Sequence, residues 1–262
     1  MHHHIRYFAF FLLFTSIFFF CSLSSSPSCS SSVFFTLSFR RFSLLTVTLP
    51  LFAFLFCLGY SYAFHFRRTT LTHCNVWNFA PSISASISLR PQGFIWKMCL
   101  ALHSAPRLLL AKMYSHYFKS GLRGRFPRLV RTAFFSNILE NLFLLLLSFA
   151  PSKDEFLLHK ICFCGFIATS SAYILQSYVI LNSLWWAKKT EQEVLSLTLK
   201  KIVLSVNLSC IGLALYFYYR HNKYCEPGVY SLFSICEYLI VLSNMGYHLT
   251  AYYDFYDIEM AI

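Results

Sequence analysis

The residues best equipped for chemistry stand where the chain can least tolerate them. His103 and Arg107, then Asn137, Glu140 and Asn141, then Glu237, Asn244 and His248 all interrupt long apolar blocks. If those blocks cross a membrane, each ionisable group near the centre costs at least about 2.5–3.5 kcal/mol, so it persists only if paired, hydrated or useful. The spacing within each set is that of one helix face: i,i+4, then i,i+3,i+4, then i,i+7,i+11. An imidazole beside a carboxylate is general-base equipment. A guanidinium near it suits a phosphate or a developing oxyanion. His103 is therefore the candidate base, with Glu140 or Glu237 to orient it. Arg107, Asn141, Asn244 and His248 are the candidate substrate-binding residues around it. Ser104 is a nucleophile by type, but adjacent residues on a helix face different ways. The plainer reading of these groups is a structural network in which His–Glu and Arg–Glu pairs join helices and Pro106 kinks one of them. For the set as a whole, a site is the favoured reading.

These sets must be positioned by membrane helices. Of 262 residues, 57% are hydrophobic and 12% charged, against roughly 25% charged in a soluble domain. So little charge cannot coat a water-facing surface, and the composition is the reverse of a disordered chain. Six blocks reach the roughly 20 apolar residues a membrane helix needs: 42–64, 94–114, 129–149, 157–186, 202–219 and 229–252. They are continuous rather than alternating, which argues against a β-barrel. The expected fold is all-α, a polytopic six-helix antiparallel transmembrane bundle. The fourth block is longer than a span needs and is expected to tilt or protrude. Pro and Gly residues and the charged run 188–193 mark the connections. At 1.5 Å per residue, His103, Glu237 and Glu140 fall about 13, 12 and 14 Å below one end of the bundle, with Arg107 about a turn deeper. A common level on three helices predicts a polar pocket opening toward that end.

Cations orient the bundle. One end collects Arg40, Arg41, Lys119, Arg123, Arg125, Arg128, Arg131, Lys188, Lys189, Lys200 and Lys201; the other collects Arg67, Arg68, Arg90, Lys153, Lys160, Arg220 and Lys223. The first end is expected in the cytosol, which places both termini of the six-span body there and the pocket on the luminal side. The net charge of +12 is mostly this topology signal. It is too dispersed for nucleic acid, and anionic lipid headgroups are the expected partners of the acid-free loop 119–131. Residues 1–41 are Phe/Ser-rich and fit a signal peptide or a seventh span. The favoured reading sets them outside the functional core, leaving 42–258 as the transmembrane domain and 259–262 as a tail.

Ten cysteines are present. Most sit in apolar blocks as small buried hydrophobes, and the Cys162/Cys164 spacing is wrong for a zinc knuckle; no metal site is expected. Cys74 and Cys225 fall in polar loops that helix parity puts on the same, non-cytosolic side, where disulfides form. A Cys74–Cys225 bridge is predicted. Asn207-Leu208-Ser209 has the glycosylation pattern but lies in a span, so it should be unmodified.

Several long motifs carry a resemblance. Tyr219-Arg220-His221-Asn222-Lys223-Tyr224-Cys225-Glu226-Pro227-Gly228-Val229-Tyr230 resembles the post-GPI attachment to proteins factor 2 family. So do Glu237-Tyr238, Ser243-Asn244-Met245 and 248–255 in the last span, Thr72-His73-Cys74, 102–107, and Glu140-Asn141 with the Leu run after it. The resemblance covers roughly 42–258. It implies a multi-span protein of Golgi and endoplasmic reticulum membranes whose partners are GPI-anchored proteins, lyso-GPI lipid and membrane lipids. The implied step is reacylation of lyso-GPI at sn-2 with a saturated chain. No cofactor is implied beyond an acyl donor of unknown identity. In that frame His103 deprotonates the sn-2 hydroxyl, Arg107 binds the inositol phosphate or oxyanion, and Arg220 and His221 in the luminal loop hold glycan or phosphate, unless that loop is simply solvated. Asp254 caps the last helix. The rivals are a non-enzymatic factor presenting GPI lipid to another acyltransferase, and a lipid scramblase or transporter.

Overall fold

The computed structural model describes residues 36–150, 155–183, 190–256 and 258–261. The expectations for the first 35 residues, for the end of the fourth block beyond Ser183, and for Lys153, Lys188 and Lys189 lie outside these. Among the described residues the regular secondary structure is helical apart from a short ribbon of β1 (Thr36–Ser38) and β2 (Glu259–Ala261). The helices are α1 (Phe39–Phe64), α2 (Phe66–Thr69), α3 (Ile83–Ile87), α4 (Gln92–Gly121), α5 (Pro127–Phe149), α6 (Phe156–Ser183), α7 (Glu191–Tyr224), α8 (Val229–Leu249) and α9 (Ala251–Asp254). The body from Ser38 to Ile258 forms one compact unit.

Five of its helices are long and apolar enough to cross a membrane: α1, α5, α6, α7, and α8 continued to Asp254. The chain is a multi-pass membrane protein. The count of six apolar spans is corrected at α4. That helix is 30 residues long, but Lys97, His103, Arg107 and Lys112 make it too polar to qualify. Its neighbours compensate, since His103, Ser104 and Arg107 are all buried. The six long helices close into a ring in the order α1–α4–α5–α6–α7–α8, with α8 returning to α1.

Local chemistry explains the boundaries. Pro127 opens α5 at the first helical position, where its missing N–H is not needed. Helix α7 starts on a capping box, in which Thr190 accepts from the Glu193 N–H and Glu193 reaches back to the Thr190 N–H. It therefore begins well before the apolar block and runs past it to Tyr224. The run expected as a connection is already helical from Glu191. Gly228 takes φ +76° and its N–H binds the Trp77 carbonyl at 2.8 Å, a backbone conformation that favours glycine. At Gly165 a Cβ would lie 2.7 Å from the Phe143 ring, so glycine allows α6 to approach α5.

The connections sort to two ends as parity requires. At one end Cys74 and Cys225 are disulfide-bonded, with Cα atoms 5.4 Å apart, which is the predicted bridge. There Ser231 Oγ accepts from the Phe79 and Ala80 N–H groups, and His159 reaches across to Ser84. The other end carries the turn 122–126, where Arg123, Gly124 and Phe126 have positive φ.

Candidate functional site

A cavity runs inside the ring, walled by α1, α3, α4, α5, α6 and α8. Most of its lining is apolar, including Val47, Trp96, Leu144, Phe166 and Met245. Into this lining project His103 and Arg107 of α4, His159 of α6, and Glu237, Asn244 and His248 of α8. Five of the sequence-predicted site residues therefore share one cavity. The space open to the centre of a water molecule is about 60 Å³, room for roughly four waters.

Glu140 is the hub behind this wall. It is fully buried. Its Oε1 accepts from His248 Nε2 at 2.9 Å and Asn244 Nδ2 at 2.9 Å, and pairs with Arg107 Nη2 at 3.2 Å. Arg107 Nη2 also donates to Asn137 Oδ1 at 3.1 Å, and Asn244 to Ser170 Oγ at 2.7 Å. Glu140 Oε2 and Arg107 Nε are buried with no hydrogen-bond partner. The carboxylate therefore joins α4, α5, α6 and α8 at one point. Tyr173 stacks on the His248 ring, with centroids 5.8 Å apart and planes 7° apart, and fixes its orientation.

The pairing differs from the one expected. His103 is oriented by neither carboxylate; its Nδ1 lies 2.7 Å from the Thr46 carbonyl. A carbonyl only accepts, so Nδ1 carries the proton and Nε2 holds the lone pair of the neutral ring. By the same logic His248 has its proton on Nε2, toward Glu140, and its lone pair on Nδ1. Glu237 Oε2 accepts from the Ile83 N–H at 2.9 Å and so caps the first turn of α3. Asn141 is not in the network; it donates to the Ser104 carbonyl and hydroxyl at 3.1 and 2.9 Å. The single level is corrected as well. Glu140 meets Arg107 and His248, whereas Glu237 lies 11 positions before His248 on α8, about 16 Å higher. Counting residues assumes upright helices that start in one plane, and tilt breaks that assumption.

Arg220 and His221 are not in a loop. They occupy the last turns of α7. Arg220 Nε donates to Glu226 at 3.0 Å, so its charge is already paired. His221 is fully buried, with its ring edge-on to His73 at 5.3 Å. His73, Cys74 and His221 bring ligand-type atoms within 4.8 Å of one another. Cys74 is disulfide-bonded, however, and its sulfur is neither a thiolate ligand nor a proton donor. Two imidazoles are left, and no metal is assigned to them.

Sequence reasoning passed over His159, whose Nδ1 binds the Ala150 carbonyl at 2.8 Å while Nε2 meets Ser84 Oγ at 2.8 Å. Its signal was available, as an ionisable residue in an apolar block. Lys200 and Asp254 were misplaced. Lys200 is not a surface cation but fully buried, 2.6 Å from Asp254 Oδ2. Asp254 also accepts from Ser196 at 2.6 Å and Tyr114 at 2.7 Å. It is a buried counter-ion rather than a helix cap.

Residues 38–258 match the model of the Frag1/DRAM/Sfk1/Cwh43P N-terminal domain family. The Drosophila melanogaster protein named post-GPI attachment to proteins factor 2 is 40% identical over 230 residues, 87% of this chain and 90% of its own. The Xenopus tropicalis protein named acyltransferase PGAP2 is 40% identical over 243 residues, 90% and 95% of the two chains. A Caenorhabditis elegans post-GPI attachment to proteins factor 2 is 38% identical over 228 residues, 84% and 87%. No solved structure matches.

Proposed function

This chain belongs to the Frag1/DRAM/Sfk1/Cwh43P N-terminal domain family, and on that footing we propose that it remodels GPI-anchor lipid in Golgi and endoplasmic reticulum membranes by reacylating lyso-GPI at sn-2 with a saturated chain. The names of its relatives support the substrate and the acyl transfer. The observation that carries the chemistry is the wall shared by the oriented imidazoles of His103 and His248 and by Arg107 in a largely apolar cavity.

His103 Nε2 takes the proton of the sn-2 hydroxyl, while the Thr46 carbonyl holds the ring in the required tautomer. The alkoxide oxygen attacks the donor's acyl carbonyl. The tetrahedral intermediate then collapses and the donor's leaving group departs with the proton returned by His103. Arg107 faces the anionic centre, either the inositol phosphate or the oxyanion. Glu140 keeps Arg107 and His248 in place. Glu237 acts at one remove, by fixing α3 in the cavity wall. With space for only a few waters, the cavity must widen to admit a lipid. Helix α3, five residues long, is the smallest element in that wall.

The same narrowness favours one alternative, a factor that presents GPI lipid to a separate acyltransferase. Purified full-length protein, given lyso-GPI and an acyl donor, distinguishes the two. Transfer that disappears in His103→Ala at unchanged thermal stability supports the enzyme. Absence of transfer with each acyl donor class, thioester or phospholipid, supports the presenter. Transfer undiminished in His103→Ala removes His103 as the base.

A further inference from the structure

A second and much larger recess lies between the ends of α4 and α5 beside the turn 122–126. Its open space is about 600 Å³, ten times that of the inner cavity on the same measure. Lys112, His116 and Lys119 line it from α4, at i,i+4,i+7, and Arg128 and Arg131 from α5, at i,i+3. Each set is one helix face, so the two basic faces look onto one cleft. No Asp or Glu lines it. All five side chains are exposed, and none of their side-chain nitrogens makes a hydrogen bond or ion pair within the described residues. Arg107, Lys200 and Arg220, by contrast, each meet an acid: Glu140, Asp254 and Glu226. Clustering like charges without a counter-ion is unfavourable unless an anion completes the cleft.

The apolar rim says what kind of anion. Phe134 and Phe135 finish the lining on the α5 side, and Phe135 is 53% exposed. Phe126 at the turn is 62% exposed. Phenylalanine rings carry no polar group, so at the end of a membrane helix they suit acyl chains rather than a soluble anion. On α4, Lys112 is five positions beyond Arg107, about 7.5 Å along the axis, so the cleft starts within the bundle and opens at the membrane surface. A lipid brings chains for the aromatic rim that a soluble anion lacks, and four Lys/Arg charges on two walls outnumber what a headgroup with one phosphate supplies.

We propose that this cleft is a binding site for a phospholipid whose headgroup carries more than one phosphate, with the phosphates between the α4 and α5 cations and the chains over Phe134 and Phe135. The site is separate from the inner cavity, and its occupancy is read without acyl transfer.

The test uses full-length protein in detergent and a fluorescent short-chain phosphatidylinositol bisphosphate as probe. The bisphosphate lipid is expected to bind at least about tenfold more tightly than short-chain phosphatidylserine, with affinity falling as salt rises. Arg128→Gln with Arg131→Gln is expected to weaken binding at least about tenfold. Lys112→Gln with Lys119→Gln, on the opposite wall, should do the same and serves if the first pair lowers thermal stability. Arg67→Gln with Arg68→Gln, at the far end of the bundle, should change nothing. Equal affinity for the two lipids, or equal loss in the far-end pair, would overturn the proposal in favour of a diffuse positive surface. Tighter binding of soluble inositol trisphosphate or of acyl-CoA at the same residues would overturn the lipid as occupant.

Discussion

Replacing Glu140 with Leu should be among the most damaging single changes in the protein. The carboxylate is fully buried and its Oε1 faces three donors. Its removal leaves the Arg107 guanidinium, 2% exposed, with Asn137 as its single hydrogen-bond partner. Breaking one side of a buried ion pair costs about 3–5 kcal/mol, because a charge is left uncompensated. For a body of this size each kcal/mol moves the melting temperature by about 2–4 °C, so the loss should be roughly 6–20 °C. The matched variant Arg107→Met is expected to lose less, since the remaining carboxylate keeps His248 and Asn244 as donors. The double variant Arg107→Met with Glu140→Leu should recover most of the stability, because replacing both partners by apolar groups is close to neutral. Melting of the purified protein followed by intrinsic fluorescence reads all three. A Glu140→Leu protein as stable as the parent would refute the view that this carboxylate neutralises Arg107. The double variant then separates adhesion from chemistry: full remodelling activity in a restabilised double variant would mean that the network only joins helices.

Other outcomes follow from the same geometry. Asp254→Ala should destabilise by about 3–5 kcal/mol by stranding Lys200, and Lys200→Met added to Asp254→Leu should restore melting. Cys74→Ser and Cys225→Ser should each abolish the mobility difference between reduced and unreduced protein and cost about 2–4 kcal/mol, since the bridge closes a separation of 151 residues. No glycan should be found on Asn207, which is 1% exposed and donates to the Ile240 carbonyl and Ser243; a shift on glycosidase treatment would contradict the burial. Gly165→Val should destabilise by about 1–3 kcal/mol through overpacking against Phe143, and Phe143→Ala should relieve part of that loss.

What the sequence disclosed was whatever depends on counting alone. The Cys74–Cys225 pairing needed only the parity of helices and the polarity of two loops. The long helices needed only apolar length, and α4 was counted with them although the residues that make it interesting also make it too polar to qualify. Partners were another matter. Glu140, Arg107 and His248 were legible as a set because lone charges in lipid are costly. That His248 rather than His103 would meet Glu140 depends on the relative tilt of α5 and α8, which no single-chain periodicity encodes. Thr46 acts through its carbonyl, a group every residue has, so nothing marked it. Lys200 read as a surface cation because its counter-ion lies 54 positions away, on a helix whose return path only the fold supplies.

The inner network is also not what adhesion alone would select. A polar cluster that serves only to hold helices together is most stable when every donor and acceptor is matched, because an unmatched buried charge is heavily penalised. Here three donors crowd onto Glu140 Oε1, while Oε2 and Arg107 Nε have no protein partner. Two nearby groups show the contrasting pattern. Asp254 uses both oxygens, with Ser196 on one and Tyr114 and Lys200 on the other. Asn141 Nδ2 donates to both the carbonyl and the hydroxyl of Ser104. The matched cluster around Asp254 lines no part of the inner cavity, whereas the unmatched one supplies Arg107, Asn244 and His248 to its wall. Arg107 thus keeps an unpaired Nε–H on a residue of the cavity wall, where it is available to a substrate phosphate or oxyanion.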